Sequence, residues 1–246
     1  MGLRRSVLAI SFLLGIPASD ASAQSVVAHV EFTHAESKSS TRKDTADKPH
    51  QHAPKGPLTV VWLTPFDRQP GQQSATGSFV MAQKDKTFAP HLLVMPVGST
   101  VSFPNRDPFF HNVFSFFNGR RFDLGLYQSG QSRSVVFNRV GVSYIFCNIH
   151  PEMSAIIITL DTPYFAYPDD HGDVKIANVP PGNYTLQVWS EAISPEAKQP
   201  AGRRVTVNAN GRTDLGAIPI QATPGALADH LNKFGEPYNT HSPPAY

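Results

Sequence analysis

Cysteine is almost missing from this chain of 246 residues: Cys147 stands alone. A single thiol excludes an intramolecular disulfide framework. Charge is sparse too, with Asp, Glu, Lys and Arg together making 16% of the residues and a formal net charge of +2. No run of Lys and Arg exceeds two residues, which argues against a nucleic-acid surface. Long apolar runs are lacking as well. The stretch VLAISFLLGI at 7–16 falls short of the ~18–20 residues that a membrane-spanning helix requires.

That stretch has another reading. Arg4 and Arg5 precede it, and ASA at 21–23 follows it. A short basic region, an apolar segment and an A-x-A site form a cleavable secretory signal. Residues 1–23 are therefore expected to be removed, leaving a protein exported to a bacterial periplasm, without a membrane span and as a monomer. The loss of Arg4, Arg5 and Asp20 takes the net charge from +2 to +1. A leftover thiol in an exported protein implies an intermolecular bond or another task, and metal ligation is one such task.

Proline (22) and glycine (17) are plentiful and separate short alternating runs, the pattern of an all-β chain. TVSF places Val101 and Phe103 on one face. VSYIFC divides Val142, Tyr144 and Phe146 from Ile145 and Cys147, and YTLQVW gathers Tyr184, Leu186 and Val188. This period of two marks half-buried strands, whereas the apolar run AIIITL at 155–160 suits a fully buried one. Residues 33–57 lack periodicity and large apolar side chains and read as a flexible loop. The tail from 222 to 246 reads similarly, except that Leu227, Leu231 and Phe234, with Pro224 ahead and Gly235 behind, predict one short helix.

The chemistry gathers in CNIHPEM, where His150 and Met153 follow Cys147 at intervals of three residues. Thiolate, imidazole and thioether are soft or borderline donors that favour copper over magnesium, calcium or manganese. Zinc sites normally use several Cys or His. His111 in NRDPFFHNVFS offers a further ligand from a separate segment. Two His and one Cys with a weak axial Met form the blue-copper electron-transfer arrangement. HQH, with His50 and His52, reads as a solvated loop pair, and His91 as structural.

In this order of His111, Cys147, His150 and Met153, residues 78–162 resemble the cupredoxins, the family of plastocyanin, amicyanin and azurin. FAPHLLVMPVGSTVSFPNRDPFFHNVF is similar to the family's N-terminal half, and Pro151 after the second histidine is similar to amicyanin. The resemblance implies a Greek-key β-sandwich holding one type 1 copper ion. It also implies that Met153 is the axial ligand and that the Asn112 side chain ties the two ligand loops together. An exposed edge of His150, with Pro151 and some of Phe109, Phe110, Phe116 and Phe117 around it, would be the electron's exit.

A second resemblance lies downstream. PYFAYPDDHGDVKIANVPPGNYTLQVW at 163–189 is similar to the carboxypeptidase regulatory-like, or transthyretin-like, sandwich, and LTVVWLTP (58–65) and VVAHVEF (26–32) suit its earlier strands. The expected organisation is thus a cupredoxin domain at 78–162 set between strands at 24–67 and 163–221 of a smaller β-sandwich. The function expected is one-electron carriage between a periplasmic donor and acceptor. Copper handling without electron transfer is the alternative. An enzyme is not expected, since multicopper oxidases and nitrite reductases need further His clusters beside the blue site.

Overall fold

Alternating side chains become strands almost throughout the computed structural model, which describes residues 24–34, 56–67, 75–116, 119–193, 200–209, 211–223 and 231–238. The expected signal (1–23), His50, His52 and Phe117 lie outside the described residues. The protein is all-β, with no helix among the described residues and hence none able to cross a membrane. β1 (Ser25–His34) and β2 (Thr59–Pro65) come first. Ten strands follow: β3 (Ser78–Val80), β4 (Ala82–Lys84), β5 (Thr87–Ala89), β6 (Leu92–Pro96), β7 (Ser99–Pro104), β8 (His111–Ser115), β9 (Phe122–Tyr127), β10 (Ser132–Phe137), β11 (Gly141–Phe146) and β12 (Ser154–Leu160). The remainder are β13 (Phe165–Ala166), β14 (Asp173–Ala177), β15 (Gly182–Ser190), β16 (Arg203–Val207) and β17 (Arg212–Ala222).

Four of the five sheets stack as layers, and the fifth is the small β4-β5 ribbon. The sheet β10-β7-β3 shares an apolar core with β6-β12-β11-β8-β9, and β13-β2-β15-β16 shares one with β14-β1-β17. The first sandwich is set into the second: β2 leads into it, β13 leaves it, and the two pair as neighbours through Phe165 and Trp62. β1 lies between antiparallel β14 and parallel β17, and it extends through Thr33 and His34, two residues beyond the start of the expected loop.

Three apolar cores separate the layers. Val101, Phe103, Phe137, Ile145 and Ile157 fill the first sandwich, and Val26, Val30, Leu63, Leu186 and Ile220 fill the second. The third core joins them: Tyr144, Phe146, Ile156 and Ile158 pack against Val60 and Trp189. The β11–β12 sheet is therefore covered on both faces. This explains the apolar run AIIITL, since every residue of a doubly covered strand must be compatible with burial. Trp189 also donates its indole N–H to the Tyr144 hydroxyl at 3.2 Å, so its polar atom is satisfied within the interface.

The helix expected over 224–235 is not formed in its described part. Leu231–Tyr238 makes turns instead. Asn232 Oδ1 accepts from the amides of Phe234 and Glu236, a local bond that competes with helix.

Candidate metal centre

Phe146, the last residue of β11, pairs with Ser154, the first of β12. The seven residues between them therefore close a hairpin whose base is held by two sheet strands. Within it, the Cys147 amide donates to Met153 O at 3.3 Å and the Met153 amide to His150 O at 3.1 Å. This short loop turns Cys147, His150 and Met153 toward the same interior. His111 begins β8, which pairs with β11 through Phe114 and Phe146. The sheet thus delivers the fourth residue to the same end of the sandwich.

The four are all buried: His111, Cys147 and Met153 are 0% exposed and His150 is 3% exposed. Cys147 Sγ lies 3.8 Å from His111 Nδ1 and 3.7 Å from His150 Nδ1, and the two Nδ1 atoms are 3.1 Å apart. A point equidistant from these three atoms is about 2.1 Å from each, close to the bonds of about 2.0–2.3 Å that imidazole and thiolate make to a small metal ion. Met153 packs in the same apolar cluster as Cys147.

Asp107 explains why His111 presents this nitrogen. His111 Nε2 is 2.8 Å from Asp107 Oδ2, so Nε2 carries the donated proton and Nδ1 is left with a bare lone pair. The carboxylate, itself 4% exposed, is held in turn by the amides of Asp85 at 2.6 Å and Lys86 at 3.0 Å. Both of these residues have positive φ, 55° and 56°, in the tight turn between β4 and β5. Non-glycine residues adopt that conformation at a cost, and the Asp107 carboxylate offsets it here by accepting both amides. Burial pushes the Asp107 carboxyl up, but the Lys86 amide, the His111 imidazole and the Asp85 amide outweigh it and hold the group below the usual carboxylate range.

Burial lowers the basicity of both imidazoles, with Asp107 partly opposing this at His111 and His111 reinforcing it at His150. Neutral imidazoles are the form that binds metal. Burial also pushes the Cys147 thiol up, against the amides of Asn112, Ile149 and His150 that point at its sulfur. A buried thiolate beside two neutral imidazoles requires a compensating positive charge. The donor set therefore fits a soft or borderline metal cation.

Two sequence expectations change here. The Asn112 side chain does not bind the ligand loop; its Nδ2 donates to Asp123 Oδ1 at 2.8 Å, on β9, while its backbone N–H reaches Cys147. β9 pairs directly with β8, which brings the Asp123 carboxylate within reach of the Asn112 side chain. The expected exposed edge of His150 is also covered. Nε2 is buried without a hydrogen-bond partner among the described residues, and Phe109 lies against both imidazoles, 5.5 Å from His150 and 5.2 Å from His111 between ring centroids. Pro151 is exposed, as are Phe110 and Phe116 at 40% each. His91 stands outside the cluster, with Nδ1 3.0 Å from Ser154 O and Nε2 3.6 Å from Glu191. Asp107 is not among the residues expected from the sequence, and its i, i+4 spacing to His111 is the signal that points to it.

Comparison with known proteins gives partial matches. A family model described as polysaccharide lyase family 4, domain II, matches residues 153–215, from the end of the ligand loop into the second sandwich. No curated protein matches the chain. Among solved structures, a copper-containing nitrite reductase from Thermus scotoductus SA-01 is 26% identical with a TM-score of 0.33, over 34% of this chain and 22% of that one. The chain thus spans less than a quarter of that enzyme. A purple cupredoxin from Nitrosopumilus maritimus is 25% identical over 33% of this chain and 98% of that one, with a TM-score of 0.30. Amicyanin from Paracoccus versutus is 21% identical over 40% and 91%, with a TM-score of 0.30.

Proposed function

We propose that this is a blue copper protein of the periplasm that carries single electrons between two redox partners. It would hold one type 1 copper ion on His111, Cys147 and His150, with Met153 beside them as a further, weaker donor. The observation that carries this reading is the buried triangle of two Nδ1 atoms and one Sγ. Bound there, copper would supply a one-electron couple. The chain's own part is to keep the donors still. Cys147 and Met153 are anchored at the ends of paired strands, and Asp107 fixes the His111 ring. A donor set that hardly moves lets the oxidation state change quickly. The burial of His150 Nε2 favours the second reading, copper handling without electron transfer, because a covered edge lengthens the path to a partner.

The test is to add one equivalent of Cu(II) and record the visible spectrum and voltammogram. An intense thiolate-to-copper band with a fast, reversible one-electron couple is expected. Copper binding with a slow, irreversible couple would favour handling, and no copper binding would overturn both readings.

Met153→Gln should retain copper but lower the reduction potential, since an amide oxygen is harder than a thioether and favours Cu(II). A tenfold change in relative preference corresponds to about 59 mV. Potentiometry showing no shift would remove Met153 from the ligand set. Asp107→Asn keeps the shape but no longer offers a charged acceptor to His111 Nε2. Copper affinity, measured by chelator competition, should fall about 10–100-fold, as is usual when such an outer partner is lost. An unchanged affinity would show that the β8 backbone alone orients the ring.

A further inference from the structure

Leu231–Tyr238 belongs to no sheet, yet it is well defined by its contacts. Its own turn is closed by the Asn232 amide donating to Glu236 O at 2.9 Å and the Gly235 amide to Asn232 O at 3.0 Å. Three more hydrogen bonds run from this turn to the metal centre's surroundings. The Tyr238 hydroxyl donates to Cys147 O at 2.7 Å, across 91 residues of chain. The Lys233 amide donates to Asn148 Oδ1 at 2.9 Å, and Lys233 Nζ lies 2.8 Å from Asp123 Oδ2. Asp123 is the same carboxylate that accepts from Asn112, beside His111.

The bonds fall where the sheet's control ends. Cys147 is the first residue after β11, and its carbonyl and the Asn148 side chain have left the ladder. Rotation of the peptide between them would swing His150 away from Cys147. A phenol bonded to that carbonyl resists the rotation, and Lys233 holds the adjacent side chain and the β9 carboxylate together. We propose that Tyr238 and Lys233 are positioning residues for the metal ligands, and that the C-terminal turn clamps the Cys147–Asn148 end of the loop. The clamp keeps the sulfur in register with the two imidazoles and slows metal loss. This rests on reading the triangle as a metal site, but its main test does not require bound metal.

Cys147 is 0% exposed, so a thiol reagent reaches it only when the loop opens. In the full chain with excess chelator, labelling of Cys147 should be about tenfold faster in Tyr238→Phe than in the parent, with Lys233→Ala intermediate. A chain ending at residue 230 should be at least as fast as Tyr238→Phe. With Cu(II) bound, chelator should withdraw the ion about tenfold faster from Tyr238→Phe, the lower end of what loss of an outer partner produces. Urea midpoints measured in parallel separate the clamp from general destabilisation. Faster labelling at an unchanged midpoint supports the clamp, whereas labelling that rises only with a falling midpoint overturns it. Labelling within twofold of the parent in all three variants also overturns it. Faster labelling in variants of a parent that binds no Cu(II) would support the clamp while rejecting the copper function.

Discussion

Cys147→Ser should reduce the intense blue band to baseline while the far-ultraviolet circular dichroism stays that of a β protein. The band requires a thiolate bonded to copper, and the serine hydroxyl neither ionises at neutral pH nor offers a soft donor. The fold should survive because the substitution is small. The amides of Asn112, Ile149 and His150 that face the sulfur can donate to a hydroxyl, so the buried oxygen is not left unpaired. His111 and His150 would still hold some Cu(II), giving a weak, pale spectrum. An intensely blue serine variant would remove Cys147 from the site, and with it the copper reading.

The second large effect should come from a residue outside the site. Trp189→Ala should destabilise the protein by about 3–5 kcal/mol, the range for deleting a buried aromatic ring. Trp189 is 1% exposed and packs with Tyr144, Phe146, Ile156 and Ile158 from the other sandwich. Its loss leaves a cavity between two sheets and the Tyr144 hydroxyl without its indole donor. Urea unfolding should show a lower midpoint, and the copper colour should be lost in the same transition as the circular dichroism. The coupling follows from position: Phe146 in this core directly precedes Cys147. A loss of no more than about 0.5 kcal/mol, typical of a surface change, would show that the sandwiches are stabilised separately.

Much of this protein is legible in its residues because the relevant interactions are local. Cys147, His150 and Met153 fall within seven consecutive positions, and a loop that short between paired strands leaves their side chains little choice but to converge. Alternation assigned Ile145 and Cys147 to one face and Tyr144 and Phe146 to the other, because the side-chain period of a strand is two. Asp107 lies four residues before His111 and was within reach of the same reasoning. The polar tail shows the opposite case. Leu231 and Phe234 suggested helical spacing, but Asn232 satisfies nearby amides with its side chain, and the turn it makes is secured by distant partners.

By itself, then, the sequence determined the all-β class, the donor types and the segments that carry them, since these depend on periodicity and near neighbours. Only the tertiary structure decided that His150 Nε2 is covered, that Asn112 turns to Asp123, that two sandwiches share the Trp189 core and that Tyr238 reaches Cys147 O. Each of these is set by groups brought together from separate parts of the chain. Burial and hydrogen-bond partnership depend on everything that surrounds an atom, and along a strand most of those surroundings come from other strands.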